Sequence, residues 1–311
     1  VLPECRALTH LDLSNTCINS AGVRHLVSAL PACSLLSHLD LSVNSFSSRG
    51  VELLASVLCH CKSLTSLDLS HDSIGSNGIG RLGRVLGSCS ALKVLGLRRN
   101  NIGDAGASNL AKVLGDCYRL SHLDLGMNLI GSEGMDSLAI TLKSCTALVS
   151  LELALNKIGA EGAGKLAGTL EDCTALTHLD LTCNGIGDEG VRYLAPPLSN
   201  GHRLAHLDLT LNGIQAAGAT ELANAIRGSS TLTKLELQRN RIGSAGAQRL
   251  ASVLRECAGL SYLDLRANSI GDSGGLAMVS ELRELGTLGG CKALTLLDVC
   301  ENEFCTEISG L

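Results

Sequence analysis

A stretch of the form LxxLDLxxNxIG returns every 28 residues along this 311-residue chain. Its first leucine falls at Leu8, Leu36, Leu64, Leu92, Leu120, Leu148, Leu176, Leu204, Leu232 and Leu260, and an eleventh copy starts at Leu294 after an insertion of six residues. A fixed period of this length predicts a solenoid. Each unit is too small to bury its own apolar face, so a core forms only when neighbours stack. The same regularity says where to look for function. Residues present in every unit serve the scaffold, and functional residues must be sought where units differ.

Numbered from its first leucine, each unit has apolar residues at positions 1, 4 and 6, as in Leu120, Leu123 and Leu125. Positions 4 and 6 follow the period of two of a short strand. Position 9 is Asn in nine units (Asn44, Asn100, Asn128, Asn156, Asn184, Asn212, Asn240, Asn268, Asn302), where a side-chain amide can satisfy the backbone as it leaves the strand. Asp72 and Thr16 replace it in two others and can make some of the same bonds. Gly fills position 15 in all ten complete units and position 12 in seven, which points to close packing or a tight turn rather than a phosphate loop. Gly at position 15 is expected outside regular helix interiors. Ser or Asp at position 13, as in Ser20, Ser76, Asp104, Asp188 and Ser244, reads as a helix N-cap. Apolar residues then fall at positions 16, 19, 20 and 23 (Met135, Leu138, Ala139, Leu142), one buried helix face.

Each unit is therefore a strand, a turn and a helix. Stacked strands sit about 4.8 Å apart and packed helices about 8–10 Å, so the stack must bend with its strands inside. The expected architecture is an α/β solenoid, a horseshoe with a concave parallel sheet and convex helices. It is expected to be one domain spanning residues 1–311, with about eleven repeats and both ends inside a repeat.

The consensus LxxLDLxxNxIGxxGxxxLAxxLxxC resembles the ribonuclease-inhibitor type of leucine-rich repeat over essentially the whole chain. That resemblance implies a protein-binding role. Uniform units of 28 look more like the sensing arrays of NOD-like receptors than like the inhibitor, whose repeats alternate between two lengths. The same repeat also serves Ran-type GTPase-activating proteins.

Nine of the fourteen cysteines occupy position 26: Cys5, Cys33, Cys61, Cys89, Cys117, Cys145, Cys173, Cys257 and Cys291, with Gly201 and Ser229 interrupting the series. Equivalent side chains in neighbouring coils point the same way, which is poor disulfide geometry. Buried thiols at the helix-to-strand corner are expected, and they suit a reducing cytoplasm. A net charge of −5 argues against a general nucleic-acid binder, and no apolar run approaches a membrane span.

Position 5 is acidic in ten units, from Asp12 to Asp298, and position 3 is His in five: His10, His38, His122, His178 and His206. The adjacent pairs His10/His38 and His178/His206, each beside Asp, could be read as a zinc site, but a solvated ladder with imidazoles relieving the carboxylate stripe is the stronger reading. No unique nucleophile stands out, so neither an enzyme nor a cofactor is expected.

The units differ in few places. Repeat four has Gly96 at position 5 and carries Arg98 and Arg99, while repeats nine and ten add Arg239, Arg241, Tyr262 and Arg266. Between them position 8 runs Met127, Leu155, Cys183, Leu211, an apolar row at the C-terminal strand edge that is either exposed or turned inward. Arg and Tyr are common hot-spot residues, so Arg98, Arg99, Met127, Leu155, Leu211, Arg239, Arg241, Tyr262 and Arg266 are the candidate partner-binding residues. Pro196-Pro197 is expected to stop or distort the repeat-seven helix after Ala195, and the insertion at 280–288 to lengthen the repeat-ten helix.

The expected function is a non-enzymatic module binding protein partners through its concave face, with no nucleic acid or membrane contact. Further domains of the same polypeptide are expected outside this segment. The alternatives are an inhibitor of a ribonuclease-type enzyme and a Ran-type GTPase activator. The latter would need a functional Arg/Asn pair such as Arg99/Asn100 or Arg239/Asn240.

Overall fold

The computed structural model describes residues 6–199, 203–227, 229–288 and 293–303. Cys5, Gly201 and Cys291 lie outside them. By its internal contacts the chain divides into two units, one ending at Asn156 and the other beginning at Lys157.

The first unit alternates strands β1 (His10–Asp12), β2 (His38–Asp40), β3 (Ser66–Asp68), β4 (Val94–Gly96), β5 (His122–Asp124) and β6 (Ser150–Glu152) with helices α1 (Ser20–Ala29), α2 (Ser47–Leu58), α3 (Gly75–Leu86), α4 (Gly103–Leu114) and α5 (Ser132–Leu142). Each strand pairs in parallel with the next, with equivalent positions opposed. The second unit has helices α6 (Gly159–Leu170), α7 (Gly187–Ser199), α8 (Ala216–Ile226), α9 (Gly243–Val253) and α10 (Asp272–Leu288) and strands β7 (His178–Asp180), β8 (His206–Asp208), β9 (Lys234–Glu236), β10 (Tyr262–Asp264) and β11 (Leu296–Asp298). Its strands are likewise parallel and in register. This is the α/β solenoid architecture that the 28-residue period implies, with short strands covering positions 3–5 of each unit.

The core is aliphatic. Between the first and last repeats, where the described residues at these positions are half-buried, the leucines of positions 1, 4 and 6 and the Ile or Phe of position 11 are buried, with Phe46 fully enclosed where its neighbours have Ile. Behind the strands runs an amide ladder. Asn128 is typical: its Oδ1 accepts the backbone N–H of Asn100 at 2.8 Å, and its Nδ2 donates to the carbonyls of Leu97, Leu125 and Gly126 at 2.8, 3.0 and 3.1 Å. One side chain thus satisfies backbone groups of two adjacent repeats, and Asn128 is wholly buried in doing so.

Two expectations about the helix start need correction. Position 13 is not the N-cap of its own helix but lies in its first turn, because helices such as α3 and α4 already begin at position 12. Its side chain caps the next helix instead. Asp104 accepts the N–H groups of Gly131 and Gly134 at the head of α5 (2.6 and 3.0 Å), and Asp188 accepts those of Gln215 and Gly218 at the head of α8 (2.7 and 2.9 Å). The cap therefore couples neighbours as well as ending a helix.

Position 15, expected outside helices, also lies in the first turn. A Cβ on Gly106 would come within 2.5 Å of Ile102 Cγ2 and 3.1 Å of the Ser76 Cα on the preceding helix, so glycine is needed for close helix approach. Position 12 differs: Gly75 has φ +67° and nothing near its missing Cβ, so its glycine serves the turn.

The prolines do not stop α7 at Ala195. The helix continues through Pro196 and Pro197 to Ser199. Both prolines sit in its last turns, and the carbonyls they leave without a helical donor belong to Arg192 and Tyr193, whose side chains are exposed to water. The insertion does lengthen α10, which runs for 17 residues.

Candidate functional site

The sheet face is built from positions 3, 5 and 7. The leucine at position 4 is buried in every repeat between the first and the last, where Leu11 and Leu297 are half-buried, and this turns its neighbours outward. The acidic position 5 proves more than a solvated ladder. Asp40 Oδ1 accepts the N–H of Ser42 at 2.9 Å, Asp68 that of Ser70 at 2.8 Å, Asp124 that of Gly126 at 2.8 Å and Asp208 that of Thr210 at 2.8 Å. The aspartate ends its strand by capping the residue two ahead, which gives these repeats a structural use for it. Its second oxygen remains to give the face its negative sign.

The paired histidines divide by environment. His10 and His38 stack with ring centroids 4.1 Å apart and planes 8° from parallel, their Nδ1 atoms bonded to the Thr9 and Ser37 hydroxyls. Stacked rings send their remaining nitrogens in parallel directions rather than towards one point. Among the described residues no group of three or more His, Cys, Asp or Glu side chains is placed to hold a metal ion. In the second pair, His206 turns edge-on to His178 and bonds Glu236 through Nε2 at 2.7 Å. Lys234 Nζ reaches the same carboxylate oxygen at 2.7 Å. The hydrogen bond from His206, aided by Lys234, drives the Glu236 carboxyl down to about 2. Burial pushes the neighbouring Asp208 carboxyl up, and Glu236 and Asp180 add to that rise.

The basic residues are not equivalent. Arg266 makes a two-point contact to fully buried Asp264 (3.0 and 2.6 Å) and lies 3.4 Å from Asp298, so its guanidinium braces β10 and β11. Tyr262 is half-buried beneath Lys234 Nζ, 5.0 Å from the ring centre. Arg98 lies over β5, 4.0 Å from Asp124, and occupies the space that a Cβ on Gly126 would fill. Arg99, Arg239 and Arg241 are exposed, and among the described residues no ion pair engages them. The asparagines beside Arg99 and Arg239 are buried in the ladder: Asn100 Nδ2 donates to Leu69 at 2.7 Å and Asn240 Nδ2 to Leu209 at 2.9 Å. Neither offers its amide to a substrate.

The apolar row at position 8 follows from backbone conformation. This residue has positive φ in all eleven repeats, including Val43 (+58°), Arg99 (+53°), Met127 (+56°), Leu155 (+59°), Leu211 (+58°) and Arg239 (+54°). A left-handed residue reverses the side-chain direction expected of a continuing strand, so position 8 does not turn inward with the leucines. Leu155 and Leu211 are 41% and 42% exposed and Val43 is 46% exposed, while Met127 and Cys183 are half-buried. At position 10, Leu129 also takes positive φ and is half exposed. Sequence alone points to this edge but misses Val43 and Leu129. The repeating asparagine at position 9 could have signalled the turn that exposes both.

The seven described position-26 cysteines are buried thiols rather than disulfides. Cys117 Sγ donates to Val113 O at 3.7 Å, and Cys145 Sγ reaches both Thr141 O and Leu114 O of the preceding repeat. Burial raises the Cys61 thiol to about 11 and the Cys117 thiol to about 12.

An open, repetitive sheet face, a cross-linked backbone ladder and exposed non-repeated residues at one strand edge define a repeat scaffold. The comparisons agree: nine segments, from 4–27 to 257–279 and together more than half of the chain, match the family Leucine Rich repeat. The chain belongs to that family, whose members are in general non-enzymatic protein–protein interaction scaffolds. No curated protein matches the chain. No helix among the described residues is long and apolar enough to cross a membrane.

Proposed function

We propose that this chain is a non-enzymatic protein-interaction module that takes its partner on the sheet face, the concave side expected of such a solenoid, and on the strand edge beside it. The observation that carries this reading is the outward, left-handed position 8. It holds Arg99 and Leu155 in the first unit, and Leu211 and Arg239 in the second, in contact with water at a conformational cost of about 1–2 kcal/mol per residue. Exposed apolar side chains with Arg at their side are the usual material of a hot spot. Arg98, Met127, Arg241 and Tyr262 complete the candidate set, and Arg266 acts within it as a brace. The buried thiol array favours a reducing, cytoplasmic setting, and the role resembles that of the sensing region of a NOD-like receptor.

A second reading is an inhibitor of a basic enzyme. It is favoured by Glu236, whose carboxyl keeps its charge down to about 2. Both readings place the partner on the same face. The test is affinity for a partner purified with the intact chain: alanine at Arg98 and Arg99 together should weaken it by about 2 kcal/mol or more, roughly thirtyfold. Affinity unchanged by that pair but lost on altering exposed helix residues such as Ile140 would overturn the choice of face.

A further inference from the structure

The helical face of the first unit carries a feature that the other side of the repeat does not explain. Helix α3 has glycine at positions 80 and 83 and is followed by Gly87, where α2 holds Glu52 and Ala55 and is followed by Cys59. Glycine inside a helix costs about 1 kcal/mol against alanine, so α3 forgoes helix stability. The glycines instead let α3 lie close on α4, since a Cβ on Gly80 would come within 3.2 Å of Asn109 Nδ2 and one on Gly83 within 3.1 Å of Val113 Cγ2. Over that seam lies a hollow of 610 Å³, floored by Val113 and walled by Asn77, Arg84, Asn109 and Lys112. A second hollow of 540 Å³ shares Arg84 and Val113 and extends towards Tyr118, which is 58% exposed. The two form one furrow.

Its charge runs against that of the molecule. The chain as a whole is −5 and its sheet face is lined with carboxylates, yet the furrow presents Arg81, Arg84 and Lys112 against Asp116 alone. Arg81 is paired with Glu52 on α2. Arg84 and Lys112 are exposed and make no ion pair among the described residues, and Lys112 Nζ is held by Asn109 Oδ1 at 3.2 Å. Two cations beside two side-chain amides form a donor-rich wall, suited to carboxylates. The apolar floor and the Tyr118 ring suit an intervening side chain. Packed helices whose axes lie about 8–10 Å apart leave only a shallow groove over their seam, whose floor an extended chain can reach and a helix of about 10–12 Å diameter cannot.

We infer that the furrow between α3 and α4 is a second docking site, separate from the sheet face, for an extended acidic peptide segment of a partner protein. Its carboxylates would sit between Arg84 and Lys112 and its apolar residue on Val113 and Tyr118. The two faces would then select partners of opposite charge, because an acidic segment is repelled by the carboxylate stripe.

The experiment uses the full chain and a fluorescein-labelled octapeptide of alternating glutamate and leucine, followed by anisotropy at low salt. A glutamine–leucine octapeptide and an oligothymidylate of equal length serve as controls. The expected result is saturable binding of the glutamate peptide, at least tenfold weaker for the glutamine peptide. The double substitution Arg84→Glu/Lys112→Glu should weaken it at least tenfold, and Gly80→Glu, which fills the furrow, should do the same, with unchanged circular dichroism. Arg99→Ala on the opposite face should leave it unaltered. Absent saturation, equal binding of the glutamine peptide, tighter binding of the oligonucleotide or indifference to both furrow variants would each overturn the proposal.

Discussion

Replacing Asp72 by Asn should stabilise this protein, and the gain should grow with pH. Asp72 occupies the rung that asparagine fills in neighbouring repeats and is fully buried. Its Oδ1 does what an asparagine oxygen does there, accepting the Asn44 N–H at 2.8 Å. Its Oδ2 then falls where other rungs place the amide nitrogen, against backbone carbonyls, and it is the buried side-chain oxygen that has no hydrogen-bond partner among the described residues. An acceptor facing acceptors is tolerable only if it carries a proton. Burial accordingly pushes the carboxyl up to about 8, and the carboxylates of Asp68 and Asp40 add to the rise against the lowering effect of the Asn44 N–H.

The folded value therefore lies above the unfolded one, near 3.8. The protonated acid contributes its full stability below pH 3.8, and that contribution falls as pH rises until about 8. Each pH unit in this window costs about 1.4 kcal/mol, so the loss at pH 7 approaches about 4 kcal/mol. Asp72→Asn removes the cost and restores the missing donors. Urea denaturation of both proteins at pH 5 and pH 8 measures it. Because every other titratable residue is common to both proteins, the difference between the two isolates residue 72. The variant should be the more stable at pH 8 by several kcal/mol and at pH 5 by only about 1–2 kcal/mol. Asn128→Asp should create the same slope in a second rung. A constant difference from pH 5 to 8, or a less stable Asp72→Asn, would show that Asp72 ionises normally and that the ladder tolerates a charge.

Further expectations rest on single contacts. At Val43, where φ is +58°, glycine should be more stable than alanine by about 1 kcal/mol, the reverse of the order in a helix; equal denaturation midpoints would remove the conformational argument. Asp188→Ala should cost about 1–2 kcal/mol, because two N–H groups at the head of the following helix lose their acceptor, and hydrogen exchange should quicken at Gln215 and Gly218 rather than within α7. With the Cys117 thiol raised to about 12 and buried, iodoacetamide at pH 8 should label exposed Cys17 and Cys300 long before it; rapid labelling of Cys117 in the native protein would contradict the packing.

What the sequence shows follows from what repeats. The period, the parallel strands, the helix after each strand and the inward leucines all rest on residue types whose spacing alone sets their role. Gly and Asp at the helix start carry the right residue type but the wrong partner. Nothing local to Asp104 says that its acceptor serves a helix 27 residues later, because that relation exists only once coils are stacked. Position 8 is a harder case. Its occupants Asn15, Val43, His71, Arg99 and Leu155 share no chemistry, and most are poor left-handed residues, so position 8 itself carries no mark of the positive φ and only the asparagine that follows it hints at a turn.

That mismatch bears on function. The left-handed geometry is imposed by the scaffold, through the buried asparagine at position 9 and the N–H of position 8, which donates to the next repeat (Arg99 to Gly126 O and Met127 to Ala154 O, at 2.9 and 2.7 Å). The side chain that emerges is exposed or half-buried and lies outside the core, so its identity can vary from repeat to repeat without disturbing the fold. A row of positions held rigidly, pointed at solvent and unconstrained in type is what a scaffold needs in order to display one partner-specific surface. The strain at Val43, Leu155 and Leu211 is the local cost of that display. Glycine, which would relieve it, occupies none of the eleven places.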